Sequence, residues 1–183
     1  MGWTDPDLGD FAVDEEITAA KMDTYVKDNL SWLGIDRPHC RVQDASRSHV
    51  TGSSGDWIGV EFDSATTNVG PSSMWTDGVS YVSIPAAGFW LISGYAQWTT
   101  NDATGVRGVA LSSGAVSSAT PSGTIFVMNT APGSAAIRSK VSVSCSTLVY
   151  LAANTQVYCS IFQSSGIALT VAPVVLSAIW MTS

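Results

Sequence analysis

The hydrophobic positions of this chain follow two different rhythms, and the change falls at Gly34. Before it, Met22, Tyr25, Val26, Leu30 and Leu33 recur at three- and four-residue spacing. That spacing predicts an amphipathic helix over residues 17–33. Thr18 is a good N-cap, Ile17 and Met22 stand at the two positions of a hydrophobic staple, and Gly34 sits where a C′ glycine belongs. A helix this short is marginal alone in water, so its apolar stripe needs a surface to pack on. After Pro38 the period becomes two. Ile58, Val60 and Phe62 alternate with Gly59 and Glu61. Trp90, Ile92, Gly94, Ala96 and Trp98 share one face of a strand, and Phe89, Leu91, Ser93, Tyr95 and Gln97 share the other.

Read in this way, the chain predicts strands over 41–43, 58–62, 79–84, 89–99, 107–112, 137–145, 147–151, 156–163, 167–171 and 174–181. Another short strand begins at Met74-Trp75, and 124–128 is a strand inside an otherwise irregular stretch, 115–136. Residues 67–71 read as a loop, Thr76-Asp77-Gly78 as a tight turn, and Ser113-Gly114 as the end of a strand. Turn signals every ~8–12 residues predict an all-β sandwich or jelly roll. Ahead of it, residues 1–16, with Pro6, Gly9 and many acids, read as an extended arm. The expected division is therefore 1–36, arm and helix, and 37–183, a β domain.

Composition sharpens this picture. Of 183 residues 45% are apolar, but only 13% are charged, about half of the ~25% usual in soluble domains. Ser and Thr supply roughly a quarter of the chain. Either hydroxyls face water over a large area, or other subunits cover much of the surface. Seven Trp in a chain this small fit the second option. The net charge of −7 and eight scattered Lys and Arg leave no basic face, so nucleic acid is not an expected partner. The acids gather early, at Asp5, Asp7, Asp10, Asp14, Glu15 and Glu16. They mark either an arm that docks on a basic surface or a solvated end. Cys40, Cys145 and Cys159 form no CxxC pair and read as free, buried thiols. The start has no apolar core of a secretory signal, and no stretch is long enough to span a bilayer. The expectation is a chain folded in a cytoplasm, without membrane insertion.

The residues that carry chemistry are sparse. His39 and His49 stand far from any Gly-x-Ser-x-Gly elbow, and none occurs. His39, Cys40 and His49 match no common zinc spacing. Asp56, Glu61, Asp63 and Asp77 are candidates for a paired carboxylate, but they read better as solvated strand-end acids. Thr51-Gly52-Ser53-Ser54-Gly55 lacks the Lys and helix of a phosphate loop. No catalytic residue, metal or cofactor is expected.

Two resemblances enter on particular residues. The run from Trp75-Thr76-Asp77-Gly78-Val79 through Ile84-Pro85-Ala86-Ala87-Gly88-Phe89-Trp90-Leu91-Ile92-Ser93-Gly94 resembles the core of C1q/TNF-like jelly rolls. Val106-Arg107-Gly108-Val109-Ala110-Leu111 resembles their Arg-bearing strand, and 176–180 their closing strand. Ala152-Ala153-Asn154-Thr155-Gln156 is similar to their Leu-x-Ala-Gly-Asp segment, with Asn154-Thr155 in place of Gly-Asp. The segment Thr18-Ala19-Ala20-Lys21-Met22-Asp23-Thr24-Tyr25-Val26-Lys27-Asp28-Asn29-Leu30 is similar to one found near the N-termini of tailed-phage virion proteins, with Asp23 for the usual Asn and Lys27 for the usual Arg.

Together these imply a homotrimeric, non-enzymatic virion protein, assembled in the host bacterial cytoplasm. The first expectation is a capsid decoration or head-fibre protein whose partner is the major capsid protein. Trp3, Leu8, Phe11, Met22, Tyr25 and Leu30 would grip the shell. Trp75, Tyr81, Trp90, Tyr95, Trp98 and Trp180 would build the core and the trimer. The alternative is a tail fibre or tail-tip adhesin that binds host surface glycan, with Trp98-Thr99-Thr100-Asn101-Asp102 as the sugar platform. Some C1q-like heads bind calcium, and Asp63, Asp77 and Asp102 lie in predicted loops, but nothing sets a ligand spacing.

Overall fold

The computed structural model describes residues 18–22, 26, 37–45, 49–51, 55–70, 72–98, 105–117, 120–133 and 140–182. Of the expected helix, α1 (Ala19–Met22) is present, and the Lys21 amide donates to Thr18 Oγ1 at 3.4 Å, as an N-cap requires. Val26 is exposed. Trp3, Leu8, Phe11, Tyr25 and Leu30, and the side chain of Met22, lie outside the described residues.

Eleven strands follow among the described residues: β1 (His39–Asp44), β2 (His49–Thr51), β3 (Trp57–Gly59), β4 (Ser64–Val69), β5 (Tyr81–Ser83), β6 (Gly88–Trp98), β7 (Gly105–Ser117), β8 (Thr120–Gly133), β9 (Val141–Leu151), β10 (Gln156–Gln163) and β11 (Leu169–Thr182). The first sheet has the order β4-β1-β11-β6-β9, with β2 also paired to β11. The second has the order β3-β10-β7-β8, with β5 also paired to β10. Every pairing is antiparallel. In chain order the strands change sheet at every step except from β1 to β2 and from β7 to β8. Its first and last long strands, β1 and β11, close side by side. This is a jelly roll, and the expected all-β sandwich is borne out.

The core fills the space between the sheets. β6 contributes Trp90, Ile92, Ala96 and Trp98, all fully buried, as the alternation predicts. β7 answers with Val109 and Leu111, and β10 with Val157, Cys159 and Ile161. Val42, Leu176 and Ala178 add to the first sheet's inner face, with Val143 and Cys145 from β9. Two of the buried indoles are satisfied: Trp75 Nε1 donates to Val79 O at 3.0 Å and Trp90 Nε1 to Ala86 O at 3.1 Å.

Several local expectations are corrected. Residues 67–71 are not all loop, because β4 runs to Val69 before Gly70 breaks it. Met74 and Trp75 are buried but lie outside any strand. In place of sheet bonds their amides donate to Asn68 Oδ1. The strand expected at 58–62 is only Trp57–Gly59, although Val60 and Phe62 remain in the core. The strands expected at 137–145 and 147–151 are one over the described residues, Val141–Leu151, since no Gly or Pro interrupts them, and 137–139 lie outside the described residues. β7 does not stop at Ser113-Gly114. Gly114 pairs with Ser122 across a register shift, where a Cβ on residue 114 would collide with Ser122 Oγ. The bare backbone lets the hairpin continue as a bulge, so within the stretch expected to be irregular 115–117 still belong to β7 and 120–133 form the long strand β8, while 118–119 and 134–136 lie outside the described residues.

The bulged hairpin also covers its own sheet. Val116 Cγ2 lies 3.9 Å from the Cβ position of Gly59, which belongs to the opposite edge strand. Ala110 and Ser160, whose side chains point away from the core, are therefore fully buried. Trp57 stacks against Phe162 at 5.2 Å and packs over Gly108 on the same side.

Candidate functional site

The outer face of the first sheet has no such cover among the described residues. The strand registers lay its side chains out in rows. His39, Ile179, Leu91 and Leu148 form one row across β1, β11, β6 and β9. Arg41, Ser177, Ser93 and Ser146 form the next, and Gln43, Val175, Tyr95 and Ser144 the one after. Beyond them Gln97 faces Ser142. On the other side of the first row, Phe89 meets Tyr150 edge-on, with ring centroids 5.5 Å apart.

This face therefore has two halves. One end is an apolar strip of Phe89, Leu91, Leu148, Tyr150, Ile179 and Met181, each between 38% and 58% exposed. Scattered single apolar residues need no explanation, but a contiguous group of six on one sheet face does. The other end is hydroxyl and amide. Tyr95 Oη lies 3.1 Å from Ser142 Oγ and accepts from Gln97 Nε2 at 3.0 Å. A depression of about 360 Å³ opens there, lined by Arg41, Gln43, Ser93, Tyr95, Val175 and Ser177 among others. A second cleft of about 460 Å³ continues toward β8, past Ser144, Ser146, Met128 and Asn129. Asn129 Nδ2 donates to Ser144 O at 2.8 Å and ties the two sheets together at that edge.

The strip lies at the end where the chain enters β1. Arg37 Nε donates to Trp180 O and the guanidinium also contacts Met181 Sδ, so the start of β1 is clamped to the end of β11. His39 Nδ1 lies 2.7 Å from Arg37 O.

The residues expected to build core and trimer part company here. Trp75, Trp90 and Trp98 are enclosed in the core of one subunit. Tyr95 stands on the open face. Tyr81 is half-buried against Tyr158 on the second sheet, 5.4 Å between centroids, and Trp180 is half-buried beside Gly88. Trp98 has no exposed surface to offer a sugar, and residues 99–104 lie outside the described residues. Sequence periodicity does not single out Leu148, Tyr150, Ile179, Met181 or Arg41. Half of the signal is present in it, since Phe89, Leu91 and Tyr95 fall together on one face, but only the registers add the neighbouring strands.

His39 and Cys40 point to opposite sides of β1, Cys40 into the core, so they cannot share a metal. Asp56, Glu61 and Asp77 are exposed, and Asp63 accepts from Ser64 Oγ at 2.9 Å. Among the described residues no three His, Cys, Asp or Glu converge as a metal site would need. Asp102 lies outside them. The three cysteines are free and buried. Burial pushes the Cys40 thiol up to about 12 and the Cys145 thiol up to about 11, and raises Cys159 further still.

No family model matches the chain, and no curated protein matches it. Among solved structures the chain is similar to the globular domain of a zebrafish complement 1qA protein, with 12% identity and a TM-score of 0.49. That likeness covers 79% of this chain and 98% of that chain. The jelly roll assigned above stands on the strand order and registers alone.

Proposed function

We propose that this chain is a non-enzymatic structural protein of a tailed-phage virion, a homotrimeric capsid decoration or head-fibre protein held to the major capsid protein through its N-terminal arm. The observation that carries self-assembly is the uncovered strip of Phe89, Leu91, Leu148, Tyr150, Ile179 and Met181. Burying side chains of this size contributes roughly 1.5–3 kcal/mol each, before the cost of association. A chain of low charge density can crowd against its own copies with little like-charge repulsion. Attachment rests on the segment 18–30 and on the aromatic, acidic arm ahead of it. Three arms engaged at once would bind with strongly raised avidity.

A truncation lacking residues 1–36 tests both halves. It is expected to sediment as a trimer and to fail to bind particles that the full chain decorates. Attachment of the truncated form would remove the arm's role, and a stable monomer at micromolar concentration would remove the trimer.

A further inference from the structure

We infer that the polar half of the first sheet's outer face is a binding site for a carboxylate-bearing sugar, centred on Arg41 and Tyr95. The depression there, about 360 Å³, falls within the ~300–1,000 Å³ range of small-molecule sites. Its lining joins one guanidinium (Arg41) to a side-chain amide (Gln43), an aromatic ring (Tyr95) and the hydroxyls of Ser93 and Ser177. Among the described residues no Asp or Glu lines it. The registers place Arg41, Ser177 and Ser93 in one row and Gln43, Val175 and Tyr95 in the next, so these groups converge from three adjacent strands and do not depend on a loop.

Each group has a distinct use. A guanidinium holds one carboxylate through two parallel hydrogen bonds. Serine hydroxyls and the Gln43 amide both donate and accept, which suits the mixed demands of a polyol. The Tyr95 ring, fixed through its hydroxyl to Ser142 and Gln97, presents a negative π-face to polarised C–H groups. Polyanions fit poorly, because the chain carries a net charge of −7 and Arg41 is the one cation that lines the depression among the described residues. A ligand with one negative charge and many hydroxyls fits best. The neighbouring cleft past Ser144 and Ser146 gives a second sugar unit room along the same face.

The site differs from the Trp98 platform, and it does not require the virion or trimer assignment. Saturation-transfer NMR on the full chain is the test, with glucuronic acid as probe, glucose as its neutral counterpart and an acetylated Asp-rich tetrapeptide as a second carboxylate source. Glucuronic acid is expected to bind, with glucose and the peptide each weaker. Arg41→Ala should lower glucuronic acid affinity about tenfold, with Arg41→Lys between the two. Arg41 is exposed, so neither variant should perturb folding, which a circular dichroism melt checks. Unchanged binding in Arg41→Ala, or tighter binding of the peptide than of glucuronic acid, would overturn the site. Sedimentation of the same samples reports subunit number separately, so the two proposals fail independently.

Discussion

Leu111 of the second sheet packs against the bare backbone of Gly94 in the first. A Cβ on residue 94 would stand 3.1 Å from Leu111 Cδ2, 3.0 Å from Val109 Cγ1 and 3.4 Å from Cys145 Sγ. Glycine here is a packing requirement, set by how closely the sheets approach. Gly94→Ala is therefore expected to overpack the core and cost about 1–3 kcal/mol, seen as a melting temperature lower by several degrees. Val109 is stiff at χ1 and cannot swing aside, whereas shortening Leu111 removes the second contact, so Leu111→Val in the same chain should recover part of the loss. Additive losses in the double variant would show that the two residues do not couple.

Leu91 and Leu148 are direct cross-strand partners on the outer face, and both are exposed. A charge there leaves the core untouched. Leu148→Asp is expected to shift sedimentation from trimer to monomer while the far-UV circular dichroism spectrum of the folded chain stays that of the parent. Retention of a full trimer would mean that subunits meet on some other surface.

How far the sequence reveals this face depends on which strand is considered. β6 is legible in full, because eleven residues alternate without a break and Gly88 and Trp98 bound them. Its inner and outer sets follow directly from the alternation, and β10 spans the residues its pattern predicts. β8 is legible only at 124–128, since Pro121, Gly123 and Pro132 are loop-forming residues that the hairpin tolerates at a bulge and at its ends. The rows that join Leu91 to Leu148 and Ile179, and Arg41 to Ser93, depend on long-range registers that no local period encodes. The exposed strip and the polar depression are therefore invisible as sites in the sequence, even though Leu91 and Tyr95 visibly share a face.

The thiols give a pH dependence with a definite sign. Folded Cys40 and Cys145 hold their protons up to about 12 and about 11, and Cys159 is displaced in the same direction, all through burial. An unfolded thiol releases its proton near ~8.5. A folded pKa above the unfolded one means that the stabilisation is complete below about pH 8.5 and is lost as pH climbs toward the folded values. Each thiol contributes a slope of about 1.4 kcal/mol per pH unit within that window. Urea midpoints are expected to fall between about pH 9 and 11, and more steeply than in a variant with all three cysteines replaced by Ala, which corrects for tyrosine ionisation. Ellman's reagent at about pH 8 should label none of the three in the native state. Parallel urea curves for the two chains would contradict thiol burial.

Asn68 acts as a clasp between β4 and the segment that leads to β5. Its Oδ1 accepts from the amides of Met74 at 2.9 Å and Trp75 at 3.3 Å, and its Nδ2 donates to Trp75 O at 2.7 Å and Ser73 Oγ at 2.8 Å. These bonds take the place of a sheet ladder and hold Met74 and Trp75 in the core. Asn68→Ala removes both sides of the clasp and should cost about 1–3 kcal/mol. Asn68→Asp separates the two roles, because a carboxylate still accepts from both amides but turns a donor into a charge facing Trp75 O. It is expected to lose stability above about pH 4 and to recover as the carboxyl is protonated. If the Asn68→Asp variant proved as stable as the parent at about pH 7, well above the carboxyl's titration, the donor side of the clasp would contribute nothing.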